Sequence, residues 1–393
     1  MARRAIIAGA GISGLSSALA LSQAGFKVAV YERAKALEEF GAGIQLTPNA
    51  TRVLSRLDLL ESVSKVAMRP RAVRVLRGQD DAILARMDLG DADRRWGAPY
   101  LAVHRADLQA TLVKTVDDDP NTDLILGASI TGVRQDRDQV SVIVNGSASA
   151  SDCADLVVGA DGLRSTIRGI LGPREAAAIA FTGRMAFRAT IDSSLLEPSW
   201  SQPEITLCLG PCAHLVFYPL RDGSIVNIVA VIESEPSKSP GDVPWDSAAN
   251  LRDLELAFAQ WSGAIRRLLA AAGTWRAWPL YTRPPLRSFH KGRVALAGDA
   301  AHPMVPFLAQ GAAQAIEDAD AIGRSLSNAK DVRSGLAGYS QNRVGRATRV
   351  QIEAQRQGPV YHLRGPLALA RNAALRILGG SGLKARYDWL YGA

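Results

Sequence analysis

The chain has 393 residues, enough for two or three domain-sized units, and an apolar content of 47% argues against disorder. The net charge is +8. Its three cysteines, Cys153, Cys208 and Cys212, lack the number and spacing of a disulfide framework or a zinc site. We therefore expect no metal, and free thiols in a reducing compartment, the cytoplasm. No segment is long and apolar enough to predict a membrane span.

The positive charge lies mainly at the C-terminal end. From Asp331 onward there are ten lysines and arginines against three acids, a net charge of +7. A solvated helical face explains this run, and a basic rim that attracts anionic cofactors or substrates is an alternative. No aromatic interleaving or binding motif accompanies the charge, so we predict no nucleic-acid partner.

The first 32 residues predict a β-α-β unit: a buried strand over 4–8, a helix over 12–25 and a second strand over 27–31. Two arginines before an apolar stretch are also typical of a signal peptide. Three glycines interrupt that stretch, however, and the following KVAVYER strand needs it as a partner. We therefore expect the segment to be retained.

The turn of this unit, GAGISG, matches G-x-G-x-x-G. Gly9 permits a tight turn, Gly11 lets a pyrophosphate approach the backbone, and Gly14 lets the helix pack on the strand. Glu32, 23 residues beyond Gly9, can accept hydrogen bonds from ribose hydroxyls. Because a helix N-terminus favours phosphate, the sequence predicts an adenine-dinucleotide site.

The later elements fall into three groups. Around the middle of the chain we predict a helix from Pro48 with Leu54 and Leu57 on one face, strands within 71–89, a helix after HRADLQATLVKTV, and strands at DQVSVIVN and DLVVGADG. Four successive strands follow, FTGRMAFRATI, EITLCLG, HLVFYPLRDG and SIVNIVAVIE, then a loop at SEPSKSPGDVPWD. The remainder predicts a helix over 247–272, a strand at GRVALAGD, a helix over 311–327 and a mainly helical end.

The fold class is therefore α/β, α+β overall: a Rossmann-like doubly wound domain with an inserted antiparallel β-sheet domain and a helical C-terminal tail. The doubly wound domain is assigned to residues 1–70, 98–177 and 285–330, the substrate domain to 71–97 and 178–284, and the tail to 331–393. The glycines of GGSGLKA near residue 380 could indicate a second dinucleotide site. No strand precedes them, so a helix stop is the better interpretation.

Three motifs in this order carry a family resemblance: GAGISG with YER, GADGLRSTIR, and GDAAHPMVPFLAQGAAQAIEDA. The chain resembles the single-component FAD-dependent aromatic hydroxylases, which include p-hydroxybenzoate hydroxylase and salicylate hydroxylase, over its whole length. The closing YDWLYG is similar to a subset that includes salicylate, 3-hydroxybenzoate and 6-hydroxynicotinate hydroxylases.

The resemblance implies FAD as the cofactor, held by residues of all three motifs. It places Glu32 and Arg33 at the adenosine ribose, Arg105 against FAD, and a backbone contact to adenine at Ile130. Asp161 lies near the pyrophosphate, although it could also cap a helix beginning near Leu163. The other implied FAD contacts are Gly9, Gly11, Ser13, Gly14, Gln45, Asp299, Gly311 and Ala312.

Asp299 and His302 lie three residues apart and could form an acid/base pair or half of a metal site. The resemblance instead makes Asp299 a ligand of the ribityl chain, and His302 is interpreted as structural. It also places Pro306 near the reactive flavin edge, where its carbonyl can accept a hydrogen bond. The helix from Gly311 directs its N–H groups at the flavin pyrimidine, where reduced flavin is negative.

Substrate contacts are expected from the antiparallel block. Strand alternation puts His214, Val216 and Tyr218 on one face of HLVFYPL, with Leu215 and Phe217 on the other. His214 and Tyr218 are candidates for a catalytic base or relay, and a hydrogen-bonded core is their alternative.

Three further side chains are candidate substrate ligands. The resemblance implies that GAGIQLTPN, with Gln45 as its best-placed side chain, lines the flavin–substrate boundary, where the hydroxynicotinate enzyme has His at the matching position. Arg188, or Arg184 on the same strand face, could bind a substrate carboxylate, unless that face is merely exposed.

The implied activity is a monooxygenase that uses NADH or NADPH and O2 to hydroxylate a small phenolic or hydroxylated heteroaromatic acid through a flavin C4a-hydroperoxide. Alternatives are a flavin oxidase, reductase or halogenase on the same fold, or a non-catalytic flavin-binding sensor. The halogenase signature W-x-W-x-I-P is not matched by WRAWPL. We expect a monomer or homodimer without a membrane partner.

Overall fold

The computed structural model describes residues 3–37, 43–172, 179–235, 247–248 and 251–392. Most of the predicted loop over 234–246 and the first two residues of GAGIQLTPN lie outside these ranges.

The strands of the described residues are β1 (Arg3–Ala8), β2 (Phe26–Glu32), β3 (Gly43–Leu46), β4 (Ala67–Met68), β5 (Ala72–Arg77), β6 (Ile83–Asp88), β7 (Leu101–His104), β8 (Thr122–Leu126), β9 (Ile130–Gln135), β10 (Val140–Val144), β11 (Ser147–Ala154), β12 (Leu156–Gly159), β13 (Ala180–Asp192), β14 (Glu204–Gly210), β15 (Ala213–Leu220), β16 (Ile225–Glu233), β17 (Ser247–Ala248), β18 (Arg276–Thr282), β19 (His290–Lys291) and β20 (Val294–Leu296).

The α-helices of the same residues are α1 (Ile12–Gln23), α2 (Pro48–Arg56), α3 (Leu60–Ser64), α4 (Ala92–Trp96), α5 (Arg105–Asp117), α6 (Leu251–Ala257), α7 (Gly263–Ala270), α8 (Gly311–Ser327), α9 (Val332–Tyr361) and α10 (Gly365–Tyr391). Single 3-10 turns at Ile167–Leu171 and Pro306–Leu308 border the candidate site.

A parallel sheet organises the dinucleotide end, with the order β19-β20-β12-β1-β2-β8 in the described residues. All neighbours are parallel except the edge strand β19, which runs antiparallel to β20. The apolar runs of β1 and β12 are buried on both faces, as expected of strands covered on both sides. Helix α1 packs against α8, so the first and third motifs lie side by side. The predicted α/β class is confirmed.

A larger sheet forms the other side of the molecule, with the described strands in the order β17-β18-β13-β16-β15-β14-β5-β6. The four predicted strands β13 to β16 are antiparallel to their neighbours in the order β13-β16-β15-β14. One pair, β14 with β5, is parallel and adds the segment after residue 71 to this sheet. The alternation predicted along β15 is confirmed, because Leu215 and Phe217 pack in one apolar cluster and Tyr218 in another.

Three sequence expectations were wrong in detail. The helix expected after HRADLQATLVKTV is α5, which spans that stretch itself because Leu108, Leu112 and Val116 form one buried face. The single helix over 247–272 is instead α6 and α7, because Trp261 turns into the core and Ser262 starts a new helix by accepting from the Ile265 N–H at 3.1 Å. The helix stop near residue 380 is a kink within α10 at Gly379, with φ of 59°. Gly380 there packs on the Arg86 carbonyl, where a Cβ would lie 2.1 Å from the oxygen.

Among the described residues, none of the helices combines the length and apolarity that crossing a bilayer requires.

Candidate active site

Four neighbouring parallel strands, β20, β12, β1 and β2, end at the residues that the three motifs single out. Glu32 is the last residue of β2 and Gly9 follows β1 directly. Asp161 lies two residues beyond β12, and Asp299 three residues beyond β20. Ligands of open α/β sheets bind at the carboxyl ends of such strands, so the motifs meet at one crevice.

The glycine turn is shaped by close backbone packing. A Cβ on Gly14 would lie 1.8 Å from the Gly9 carbonyl oxygen, so only glycine lets α1 begin this close to the turn. Gly9 has φ of 101°, in the left-handed region that favours glycine. Nothing lies within 4 Å of the Cβ position of Gly11, at the start of α1. The backbone there is open to an approaching phosphate.

Both oxygens of the Glu32 carboxylate are held by backbone N–H groups, Ala10 at 2.8 Å and Ala34 at 2.9 Å. This fixes the carboxylate at the strand end while lone pairs remain for ribose hydroxyls. Arg33 is exposed beside it. The chain leading to Ile130 lies next to this end, since the Ala128 N–H donates to the Glu32 carbonyl.

The two carboxylate oxygens of Asp161 differ: one accepts hydrogen bonds from the backbone and the other has no partner among the described residues. Its Oδ2 accepts from the Thr166 and Ile167 N–H groups at 2.7 and 3.2 Å. The capped element is the 3-10 turn at Ile167–Leu171, so the expected helix near Leu163 is wrong. Oδ1 is buried and has no hydrogen bond among the described residues. Burial raises the pKa of this carboxyl, against hydrogen bonds from Ser165 and the backbone that lower it.

Asp299 is solvent-exposed, in the turn that follows β20. Desolvation by the protein around it raises the pKa of its carboxyl, and the charges of His302 and Arg105 oppose that rise. Ser13 lies beside it, since a Cβ on Gly298 would be 2.7 Å from the Ser13 Oγ. That buried hydroxyl also has no partner among the described residues.

His302 faces away from the crevice, as the structural interpretation expects. Its Nε2 lies 2.5 Å from Oδ2 of Asp318, and both side chains are buried. Asp318 also accepts from the Gly298 N–H at 2.9 Å and from Nε of Arg343 at 2.7 Å. Burial would raise the pKa of Asp318, but His302 and Arg343 together hold it below its usual value. This network fixes the turn that presents Asp299.

The segment before α8 makes a tight approach to the crevice. The Pro306 carbonyl accepts from the Ala309 N–H at 3.0 Å, which uses one of its lone pairs. Ala309 has φ of 52°, an uncommon left-handed conformation for alanine. Helix α8 begins at Gly311 and Ala312 without a side-chain cap, and nothing lies within 4 Å of the Gly311 Cβ position. Its first N–H groups are therefore available to a ligand.

These features fit FAD. Buried oxygens without partners at Ser13 and Asp161, an open glycine turn, a fixed carboxylate at Glu32 and an uncapped helix start all border the same crevice. The donors and acceptors match phosphate, ribose and ring carbonyl groups.

On the side of the large sheet, Gln45 joins two tyrosines. Tyr100 donates to its Oε1 at 2.6 Å, and the Tyr218 hydroxyl also hydrogen-bonds to it. Tyr218 packs on Gly43, where a Cβ would lie 2.5 Å from the ring. Burial raises the Tyr218 pKa well above its usual value, so the phenol stays protonated. Strand β3 is thereby held against β15 of the large sheet.

Arg188 lies beside Tyr218 and stacks on the Trp278 ring, 4.4 Å from the guanidinium carbon to the ring centre. Its guanidinium makes no hydrogen bond to the described residues, and its Nε is buried. Burial lowers the pKa of Arg188 to about 10. Arg184, on the same face, lies 5.8 Å above the Phe307 ring, so this face is partly buried and is not an exposed surface.

His214 is buried at the far end of β15 from Tyr218. The rings of Phe307 and Tyr361 contact its ring edge-on, and each ring centre lies 5.2 Å from the centre of the imidazole. Its Nδ1 is 2.8 Å from Nε2 of His362, which leaves Nε2 of His214 for a ligand. Burial holds the pKa of His214 well below its usual value, and His362 and Arg184 lower it further. His214 is therefore a neutral acceptor.

The closing YDWLYG motif seals this region. Tyr391 contacts Trp96 and Tyr100 edge-on and stacks on Tyr387 at 5.4 Å. The Trp96 indole N–H donates to Asp388 at 2.8 Å. Because Tyr100 holds Gln45, the end of α10 supports the substrate-side wall from behind.

Sequence reasoning missed several residues of the site. Arg168 is buried and donates to the carbonyls of Ala300, Ala301 and Pro284, joining the second motif to the third. The only sequence signal for it was its place at the end of GADGLRSTIR. His362 lies 148 residues from His214, and no local spacing connects the two.

Comparisons with known proteins agree with this geometry. A family model described as "FAD binding domain" matches residues 3–354. The 3-amino-4-hydroxybenzoate 2-monooxygenase PtmB3 of Streptomyces platensis is 35% identical, over 99% of this chain and 96% of that protein. Salicylate hydroxylase of Pseudomonas putida is 33% identical, over 98% and 91%, and 3-hydroxybenzoate 6-hydroxylase of Polaromonas naphthalenivorans is 31% identical, over 98% and 95%.

Solved structures show the same relationship. A salicylate hydroxylase substrate complex superposes with a TM-score of 0.84 at 27% identity, covering 100% of this chain and 95% of that one. Klebsiella pneumoniae HpxO with FAD and uric acid has a TM-score of 0.87 at 24% identity, covering 99% and 96%, and shows the fold. Strand ends, cofactor crevice and comparisons agree: the chain belongs to the FAD-dependent aromatic-ring hydroxylases, flavoprotein monooxygenases with FAD as cofactor.

Proposed function

We propose that this enzyme uses NADH or NADPH and O2 to hydroxylate a small aromatic acid that carries a ring hydroxyl, of the salicylate, hydroxybenzoate or hydroxynicotinate kind. The observation that carries the proposal is Arg188, a partly buried cation whose guanidinium has no hydrogen-bond partner among the described residues. Relatives named for 3-hydroxybenzoate and salicylate support a carboxylated substrate.

Arg188 binds the substrate carboxylate. A guanidinium matches a carboxylate with two parallel hydrogen bonds, and stacking on Trp278 restricts its orientation. Tyr218 and Gln45 line the ring beside it, and their mutual hydrogen bond holds both side chains in place. The carboxylate thereby fixes which ring carbon faces the flavin.

His214 receives the ring hydroxyl. Because burial keeps the imidazole neutral, Nε2 can accept the hydroxyl proton and leave an electron-rich ring. The Pro306 carbonyl has a second lone pair that can orient the same hydroxyl. Phe307, Tyr361 and the end of α10 exclude water from this side.

Bound FAD supplies the transfer of electrons from the nicotinamide cofactor to O2 and the activated oxygen. Glu32 and Arg33 would hold the adenosine ribose, and the Ile130 backbone would contact adenine. Asp161 would lie near the pyrophosphate, and Arg105 would contact FAD.

The remaining contacts hold the other half of FAD. Asp299 would bind the ribityl chain, and the first N–H groups of α8 would bind the flavin pyrimidine. We assign residues 71–97 and 178–284 to the substrate domain. The proposed location of the enzyme is the cytoplasm.

A panel of hydroxybenzoates, aminohydroxybenzoates and hydroxypyridine carboxylates tests the proposal. Purified holoenzyme should oxidise NADH or NADPH faster with at least one acid, and mass spectrometry should find one oxygen atom from 18O2 in the product. Stimulated oxidation that yields only hydrogen peroxide would indicate an oxidase. The absence of both stimulation and oxygenated product with every acid would refute the proposal.

A further inference from the structure

A line of three titratable side chains leads from the substrate side of the large sheet to the surface. Nδ1 of His214 is 2.8 Å from Nε2 of His362, and Nδ1 of His362 is 3.3 Å from Oε1 of Glu233. The two histidines are 2% and 3% exposed, whereas the Glu233 side chain is 42% exposed. The line therefore connects a dry interior to solvent.

A cavity lies at its outer end. It has a volume of about 360 Å³ and is lined by Thr182, Gly183, Arg184, Glu233, Ser234 and Glu235. Water in it can receive a proton from the Glu233 carboxyl. At the inner end of the line, the His214 ring contacts the rings of Phe307 and Tyr361. Because these rings are apolar, the histidine pair provides the polar connection from this point to the surface.

We propose that His214, His362 and Glu233 form a proton relay that carries the hydroxyl proton of the bound substrate to this cavity. The inference rests on the proposed function and assigns two residues to it, His362 and Glu233, that do not touch the substrate. Both are positioning and relay residues acting through His214.

The proton balance needs no further reactant. At rest, Nδ1–H of His214 donates to Nε2 of His362, and Nδ1–H of His362 donates to the Glu233 carboxylate. The substrate O–H bond breaks as the proton passes to Nε2 of His214, the two Nδ1 protons each move one place outward, and Glu233 releases a proton to water. When the hydroxylated ring regains aromaticity, its oxygen takes a proton back along the same line, which restores both tautomers.

The charges around the pair favour this direction. Burial lowers the pKa of His214, and burial together with Arg184 lowers that of His362 to about 4, with Glu233 opposing. Neutral imidazoles accept and donate at the same time. Arg371, which holds the Tyr361 carbonyl at 2.7 Å, adds a further positive charge near His362. Cys212 contributes a thiol that hydrogen-bonds to Glu233 and has a raised pKa. A protonated pair is thus disfavoured, and the proton moves on to the carboxylate.

Proton release in the oxidised holoenzyme tests the relay without turnover. The probe is whichever of 3-hydroxybenzoate, salicylate and 3-amino-4-hydroxybenzoate stimulates the wild type most. Stopped-flow mixing with a pH-indicator dye in weak buffer gives the release rate, and flavin absorbance gives the probe Kd. Glu233→Gln should slow release about tenfold and His362→Phe about a hundredfold, with the Kd changed less than twofold.

Glu235→Gln is the matched control, because Glu235 lines the same cavity outside the line of hydrogen bonds. It should release protons at the wild-type rate, and Glu233→Asp should recover most of the rate lost in Glu233→Gln. Wild-type release in Glu233→Gln, a surface variant that should fold normally, would overturn the relay even if His362→Phe fails to fold. A purely structural role would change the Kd or the flavin content and leave the release rate intact, which also overturns it. If no acid of the full panel stimulates the wild type or yields an oxygenated product, the proposed function fails first.

Discussion

Replacing Arg188 by alanine is the sharpest test of how the substrate is recognised. Burial lowers the pKa of this guanidinium from its ordinary value to about 10, which corresponds to roughly 3 kcal/mol against its charged form. It remains charged at pH 7, and a substrate carboxylate would supply the partner that the described residues do not. Removing one member of a buried charge pair costs about 2–5 kcal/mol of binding. We therefore expect the Kd of an aromatic acid to rise about a hundredfold, or about 3 kcal/mol.

The assay compares each acid with its carboxamide, titrated against the flavin absorbance of wild-type and Arg188→Ala holoenzyme. The variant should lose affinity for the acid and retain its weaker affinity for the amide. Arg188→Lys should fall between the two, because lysine keeps the charge and loses the bidentate geometry. Arg276→Ala, an exposed arginine opposite Arg188 on β18, removes the same charge and should change neither affinity. Equal losses for acid and amide in Arg188→Ala would refute the carboxylate assignment.

Three further outcomes are expected. Gly14→Ala should abolish flavin binding, measured as bound flavin per chain, because the new Cβ would lie 1.8 Å from the Gly9 carbonyl oxygen; a yellow, stable variant would contradict this. Tyr218→Phe and His214→Ala should slow product formation about 100-fold with FAD still bound, and wild-type coupling in both would show that neither acts in catalysis. Asp318→Asn should lower the free energy of unfolding by about 3–5 kcal/mol at pH 7. Because the folded pKa of Asp318 is depressed, its contribution is present above the unfolded value of 3.8 and lost as the pH falls through the folded value. Thermal unfolding from pH 7 to pH 3 should therefore show a weaker acid dependence in Asp318→Asn, and equal pH dependence would contradict this.

The dinucleotide end was predictable because its signals are local. The residues of GAGISG and Glu32 belong to one β-α-β unit, in which strand period, turn glycines and terminal acid act within about thirty residues. The alternation of side chains between the two faces of β15 was equally predictable. Neighbouring side chains of a strand point in opposite directions even where both faces are buried.

The break between α6 and α7 and the kink in α10 could not be predicted from the sequence in this way. Helical propensity is a weak signal, and tertiary contacts override it. The chain between α6 and α7 turns so that Trp261 reaches the core, and α10 kinks at Gly379 so that Gly380 can pack on β6. Neither contact has a counterpart in the local residue pattern.

By itself, the sequence determined the fold class, the place of the dinucleotide turn and the order of the three motifs, because each is encoded in neighbouring residues. Only the tertiary structure decided which motif residues have polar atoms without a hydrogen-bond partner. Asp161 keeps one carboxylate oxygen unpartnered, while Nε2 of His302 is paired with Asp318 and its Nδ1 is buried without a partner among the described residues. It also joined His214 to His362 across 148 residues. Such pairings arise from strand order and helix packing, which bring together side chains that no spacing along the chain relates.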